Sequence, residues 1–133
     1  EKGYIPVIST LGCDREGNTY NINGDTAAGK LASALGAEKL ILLTDIEGLC
    51  NSIELRDVNS YLNVKDVQML KDKGVIAGGM IPKVDCCVQA IEEGVTSVHI
   101  IDGRKPHSIL YEAFTTENLG TTIGTAQESV GIK

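Results

Sequence analysis

The sequence predicts an α/β fold, a three-layer sandwich with a mainly parallel central sheet, and three observations lead there. Short apolar runs rich in Val and Ile alternate along the chain with amphipathic helical stretches. The run from Lys39 to Asp45, Lys-Leu-Ile-Leu-Leu-Thr-Asp, is almost continuously apolar, as in a strand covered on both faces. The 133 residues are 42% hydrophobic and include 15 Gly, enough to bury a core and too ordered a pattern for a linker, so residues 1–133 read as one compact folded unit.

Taken in order, Tyr4 to Ser9 reads as a buried strand, with Pro6 confined to its edge or end. Cys13 to Asn18 is a polar hairpin tip, and Thr19 to Asn23 its return strand. Thr26 to Leu35 is Ala-rich and stops at Gly36, as a helix does, with Asp25 a natural cap for its first turn. Lys39 to Asp45 is the central strand. Residues 50–62 show no period and read as an irregular connection. Asn63 to Lys73 places Val64, Val67 and Leu70 on one helical face and ends at Gly74. After Gly78-Gly79, Pro82 suits a first helical turn, and Val84, Cys87, Val88 and Ile91 form the apolar stripe of a helix running to Gly94. Val98 to Ile101 is a strand, Pro106 to Phe114 a helix and Thr121 to Ile123 a last strand.

Composition removes several functions. The 12 basic against 18 acidic residues give a net charge of -6, which speaks against a surface made for nucleic acid. No apolar run approaches the ~20 residues of a membrane span, and the first residues lack the blocks of a secretory signal, so a cytoplasmic protein is expected. The four cysteines, Cys13, Cys50, Cys86 and Cys87, show no C-x-x-C pair, so core filling is expected and no metal site.

Two motifs are decoys. Gly24 to Lys30 matches G-x-x-x-x-G-K, but Leu31 stands where a P-loop needs a hydroxyl for magnesium, and Asp25 would place a carboxylate in the phosphate cradle. His99, Asp102, His107 and Ser108 suggest an acyl-transfer site, but no nucleophile-elbow sequence accompanies them. More informative is Gly78-Gly79-Met80-Ile81-Pro82-Lys83, a glycine turn feeding a helix whose first turn carries a lysine. A cation there opposes the helix dipole, and an anionic ligand on Lys83 and the free amides would reverse the penalty. A solvated surface lysine is the plainer reading. Thr44 to Gly48 follows the central strand's carboxyl end, where open α/β sheets place ligands.

Four blocks, Tyr20-Asn21-Ile22-Asn23-Gly24-Asp25, Ala37 to Gly48, Gly78 to Val84 and His99-Ile100-Ile101-Asp102-Gly103-Arg104, resemble the amino acid kinase family in spacing and order. Within that family they look most like the branch that phosphorylates N-acetylglutamate. The resemblance implies transfer of phosphate from magnesium-ATP to the γ-carboxylate, with Mg2+ carried by the ATP phosphates. It implies that Asn21 and Asn23 meet the acetylglutamate, that Lys83 meets the γ-phosphoryl group and that Asp25 orients it. Thr44, Asp45, Glu47, Gly48 and Leu49, with Val75, Ile76, Ala77, Gly79 and Met80, would surround the nucleotide. Arginine-inhibited members suggest an effector site at His99, Glu112 and Gly120, the loop before it carrying Asn118 in place of a usual glycine. The bland alternatives are a strand histidine bonded to backbone and a solvated Glu112. The chain looks like the carboxyl-terminal half of such a kinase, a homo-oligomer when complete. Carbamate, glutamate or uridylate kinases and a non-catalytic sensor of nucleotide or arginine are the competing readings.

Overall fold

The computed structural model describes residues 3–50, 52, 57–115 and 119–125. A hairpin of β1 (Leu11–Cys13) and β2 (Thr19–Asn21) precedes helix α1 (Gly24–Leu35) and strand β3 (Lys39–Thr44). Strand β4 (Tyr61–Asn63), a 3-10 turn and helix α2 (Val67–Asp72) follow, then helix α3 (Met80–Glu92), strand β5 (Ser97–Asp102), helix α4 (Ser108–Phe114) and strand β6 (Gly120–Gly124). The larger sheet has the order β3-β5-β6-β4; β3 with β5 and β4 with β6 are parallel, and only β5 with β6 is antiparallel. The mainly parallel α/β architecture is therefore the one the sequence predicts.

Alternation along β5 sorts the layers. Val98 and Ile100 enter one core with Leu42, Leu62 and Ile123 of the other strands and with Ala32, Val84, Cys87, Ala90 and Ile91 of α1 and α3. His99 points to the opposite face, where Glu112 of α4 bonds it. α1 and α3 pack against each other where Gly29 faces the Cys86 carbonyl and Ala90; a Cβ on Gly29 would sit 3.5 Å from that oxygen, an ordinary contact. Gly24 to Lys30 is thus part of a packed helix, and Lys30 pairs with Glu93 of α3. No helix among the described residues is long and apolar enough to cross a membrane.

Four expectations need correction. Tyr4 to Ser9 forms no strand and is exposed, with Val7 95% accessible, because no described strand accepts its backbone hydrogen bonds. Among the described strands β3 is an edge, not the centre: Leu43 is 50% exposed, while β5 has a neighbour on each side and is buried from Val98 to Asp102. An apolar run reports that a strand wants burial, not which place in the sheet supplies it. The connection 50–62 ends in β4, and the helix expected from Asn63 begins only at Val67, since the Asn63 side chain accepts from the Lys65 amide at 2.9 Å and caps the short 3-10 turn first. Finally, Asp25 does not cap α1. Asn23 does, its Oδ1 accepting from the Thr26 amide at 3.1 Å, and Gly36 closes the other end at φ 60°.

Candidate active site

With Asn23 as the cap, Asp25 sits inside the first turn of α1 with its carboxylate free to look outward from the helix. It looks at Lys83. The Lys83 ammonium donates to both oxygens of Asp25 at 2.8 Å, and the two side chains are only 18% and 25% exposed. Both groups lie in the first turns of adjacent helices, so the acid gains from its helix dipole what the lysine loses to its own. Lysine is the main cation of this helix end. Met80 and Ile81 spend their amides on the Ala77 and Gly78 carbonyls at 3.2 Å and Pro82 has none, which corrects the expectation of free backbone donors beside Lys83. Cys87, one turn further on and fully buried, has its thiol pushed up to about 12 by burial and then by the charge of Asp25; it is inert filling.

Asn21 stands exposed at the end of β2, two residues before the capping Asn23, so hairpin and helix start share one short connection. Asn23 thereby already has a structural task.

The loop after β3 borders a cleft of about 450 Å³ that reaches the start of α3. Asp45, Glu47, Gly48, Leu49, Val75, Ala77 and Met80 line it, all of them expected around a nucleotide, together with Ile46, Cys50, Val58 and Arg104, which were not. Thr44, Ile76 and Gly79 do not line it. The Ile76 side chain is 2% exposed and belongs to the core, and the Thr44 hydroxyl donates to Asp45 Oδ1 at 3.3 Å. The cleft has an apolar side, Leu49, Val58, Val75 and Met80, and a charged rim, Asp45, Glu47 and Arg104. Val58 escaped notice because it falls in a stretch without periodicity. Arg104 had a signal, its place two residues past the end of a buried strand.

The loop is fixed to β6. Gly48 has φ 152°, and a Cβ there would lie 2.6 Å from Val58 Cγ1 and 2.9 Å from Thr121 Oγ1. The next amide, Leu49, donates to that same hydroxyl at 2.8 Å, and Thr121 is 1% exposed. Neither an L side chain nor a larger residue fits there.

On the other face, His99 is bonded by three side chains rather than by backbone: Glu112 on Nδ1, Thr122 on Nδ1 at 3.2 Å and Ser97 on Nε2 at 3.1 Å. Burial pushes its imidazole below the ordinary value, Lys39 adds to this and Glu112 opposes it. Glu112 is not a solvated charge. Its side chain is 7% exposed, and its Oε2 is buried with no partner among the described residues. Gly120 is a packing residue in this fold, since a Cβ would fall 2.0 Å from the Ile100 carbonyl oxygen. Asn118 of the neighbouring loop lies outside the described residues. Ser108 has no bond to either histidine side chain, and no group of three metal-ligating side chains occurs among the described residues.

The Amino acid kinase family model matches residues 1–102. The chain belongs to this family. Among its members, the acetylglutamate kinase of Heliobacterium modesticaldum is 53% identical over 126 residues, covering 92% of this chain and 42% of that protein. That of Thermoanaerobacter pseudethanolicus is 54% identical over 127 residues, covering 93% and 42%. The chain therefore spans about two fifths of the length of these kinases. Among solved structures, the N-acetylglutamate synthase of Neisseria gonorrhoeae, complexed with coenzyme A and L-arginine, superposes with a TM-score of 0.80 at 31% identity, over 90% of this chain and 27% of that one. The carbamate kinase of Giardia lamblia bound to AMP-PNP gives 0.65 at 21% identity over 87% of this chain and 41% of that one, a likeness of fold. Both of these curated relatives, at 53% and 54% identity, are acetylglutamate kinases.

Proposed function

We propose that this chain forms the nucleotide-binding part of a cytoplasmic, homo-oligomeric acetylglutamate kinase, which transfers the γ-phosphoryl group of ATP to the γ-carboxylate of N-acetyl-L-glutamate. The observation that carries the reading is the Lys83–Asp25 pair, two helix first turns that fix an ammonium on α3, the helix whose first residue, Met80, lines a cleft of about 450 Å³. The acceptor carboxylate is ionised already and needs no base. What the reaction requires is in-line placement and neutralisation of the charge on the migrating phosphoryl group. Lys83 supplies that neutralisation, and Asp25 is the positioning residue that holds it, leaving the third ammonium proton for a phosphoryl oxygen. Magnesium travels on the nucleotide and screens the remaining phosphate charge. Asn21, on β2, offers an amide to the acetylglutamate, with Asn23 beside it. Asp45, Glu47, Gly48 and Leu49, with Val75, Ala77 and Met80, enclose the nucleotide, while Thr44, Ile76 and Gly79 hold those two segments in place. The names of the relatives at 53% and 54% identity favour acetylglutamate over carbamate as acceptor.

The test is phosphoryl transfer by the full-length protein that contains this sequence, offered acetylglutamate, glutamate and carbamate. Turnover of acetylglutamate is expected. Activity confined to glutamate or carbamate rejects the reading.

A second proposal concerns regulation, and the buried Glu112 Oε2, which has no partner among the described residues, carries it. A buried carboxylate oxygen without a donor is costly, and a guanidinium would satisfy it, which fits L-arginine as an effector at His99, Glu112 and Gly120. Calorimetry with L-arginine on the full-length protein should show binding that Glu112→Gln weakens at least tenfold. Unchanged binding in that variant removes the site.

A further inference from the structure

Asp102 is the last residue of β5, 4% exposed at its side chain, and it holds Arg104 by a fork. Arg104 Nε donates to Oδ1 and Nη2 to Oδ2, both at 2.9 Å, and the Arg104 amide adds a bond to Oδ1 at 3.0 Å. The turn between them is tied to the neighbouring strand, since the Gly103 amide donates to the Thr44 carbonyl at 2.8 Å and a Cβ on Gly103 would come within 3.1 Å of Leu43 Cβ. The plane of the guanidinium is thus set by the sheet itself. Yet the side chain is 62% exposed, and it borders the cleft with Asp45 and Glu47 of the facing loop. Of its five N–H donors, the fork uses two. The remaining three have no partner among the described residues.

A lysine would satisfy the Asp102 charge equally well; what only arginine gives is a plate of fixed orientation. Asp45 and Glu47 also matter, because their carboxylates act on the Arg104 charge and leave the rim net negative, Lys105 pairing with Glu47 at 3.5 Å. A bare polyphosphate gains little from such a rim. A nucleoside, which presents both hydroxyl donors and ring-nitrogen acceptors, matches it. We propose that Arg104 contacts the ribose or base of the bound nucleotide and sets nucleoside affinity, with Asp102 as its positioning residue. This rests on the nucleotide reading of the cleft given above.

The experiment uses the full-length protein and its Arg104→Lys and Asp102→Asn variants, with steady-state kinetics for ATP and acetylglutamate and binding of adenosine and inorganic tripolyphosphate. Arg104→Lys should raise KM for ATP about tenfold, the loss of one charge-assisted hydrogen bond, and weaken adenosine binding equally. KM for acetylglutamate, kcat and tripolyphosphate affinity should each stay within twofold of wild type, and Tm should be unchanged. Asp102→Asn should show the same split in smaller degree. A wild-type protein that binds no ATP sinks the nucleotide reading itself. If wild type binds ATP and Arg104→Lys leaves its KM unchanged, or weakens tripolyphosphate as much as adenosine, the assignment of Arg104 to the nucleoside is wrong. Arg104 is exposed, so its variant folds and decides the matter even if Asp102→Asn does not.

Discussion

Lys83 and Asp25 are 58 residues apart in sequence and joined by two hydrogen bonds of 2.8 Å between the first turns of α3 and α1. Neither residue is explained by its own helix. A lysine at a helix start is disfavoured, and an aspartate two residues past an Asn cap is not needed for capping. Together they make a fixed cation. Replacing Lys83 by Ala in the full-length enzyme should lower kcat about 100- to 1000-fold, the range for removing one preorganised transition-state contact, with a smaller change in KM for ATP. Asp25→Asn keeps the shape and leaves the Asn23 cap intact, so the helix should persist by circular dichroism while kcat falls at least tenfold. Retained activity in Asp25→Asn would make the pair structural.

Gly48 offers a test of the loop independent of the chemistry. Its φ of 152° and the 2.6 Å and 2.9 Å approaches to Val58 and Thr121 mean that Gly48→Ala must shift the loop or the strand behind it. Strained backbone of this kind costs of order 1–3 kcal/mol, measurable by urea denaturation. Because the displaced atoms line the cleft, KM for ATP should rise more than KM for acetylglutamate. An alanine variant of unchanged stability would show that the loop is not held by Thr121.

The fold was legible where local chemistry decides it. Gly36 and Gly74 end helices, Val84, Cys87 and Ile91 face the core, and the apolar strands β3 and β5 pair in parallel. It was illegible where the decision lies with a neighbour. Nothing in Lys-Leu-Ile-Leu-Leu-Thr tells an edge strand from a central one, and nothing in Tyr4 to Ser9 names the strand it would pair with. For the site, the glycine turn drew attention to Lys83, but only the fold reveals that Asn23 takes over capping and frees Asp25 for the lysine. The burial of Glu112 was hidden for the same reason, being a relation between helix α4 and the sheet face under it rather than a pattern along the chain.

His99 makes stability depend on pH near neutrality. Burial and Lys39 lower its pKa from the ordinary 6.5, against the opposing pull of Glu112, so the unfolded chain binds the proton more readily than the folded one. Above about pH 6.5 both states are neutral at this position and nothing is lost. As pH falls from there toward the lowered folded value, the unfolded state gains protons and stability declines. His99→Gln, which keeps hydrogen-bonding capacity without the titration, should flatten the Tm profile in that window. A profile identical to wild type would locate the effect elsewhere.

Asp14 governs a second, more acidic window. Its carboxylate accepts from the Glu16 amide at 3.0 Å, from the Asn18 amide and side chain at 2.8 Å, and from the Tyr20 hydroxyl at 2.8 Å, which closes the β1–β2 hairpin around one group. The Asn18 side-chain bond leads in holding its pKa down to about 2 from 3.8, with burial pulling the other way. The folded state therefore releases the proton more readily, and the stabilisation is complete above about pH 4, then fades as pH falls through 4 to 2. Asp14→Ala should remove this acid-side slope and loosen the hairpin at all higher pH. Asn21 ends the same hairpin, paired with Leu11 in register, so the variant should also raise KM for acetylglutamate while leaving KM for ATP unchanged. Equal changes in both constants would mean that the hairpin supports the whole domain and not the acceptor side of the site.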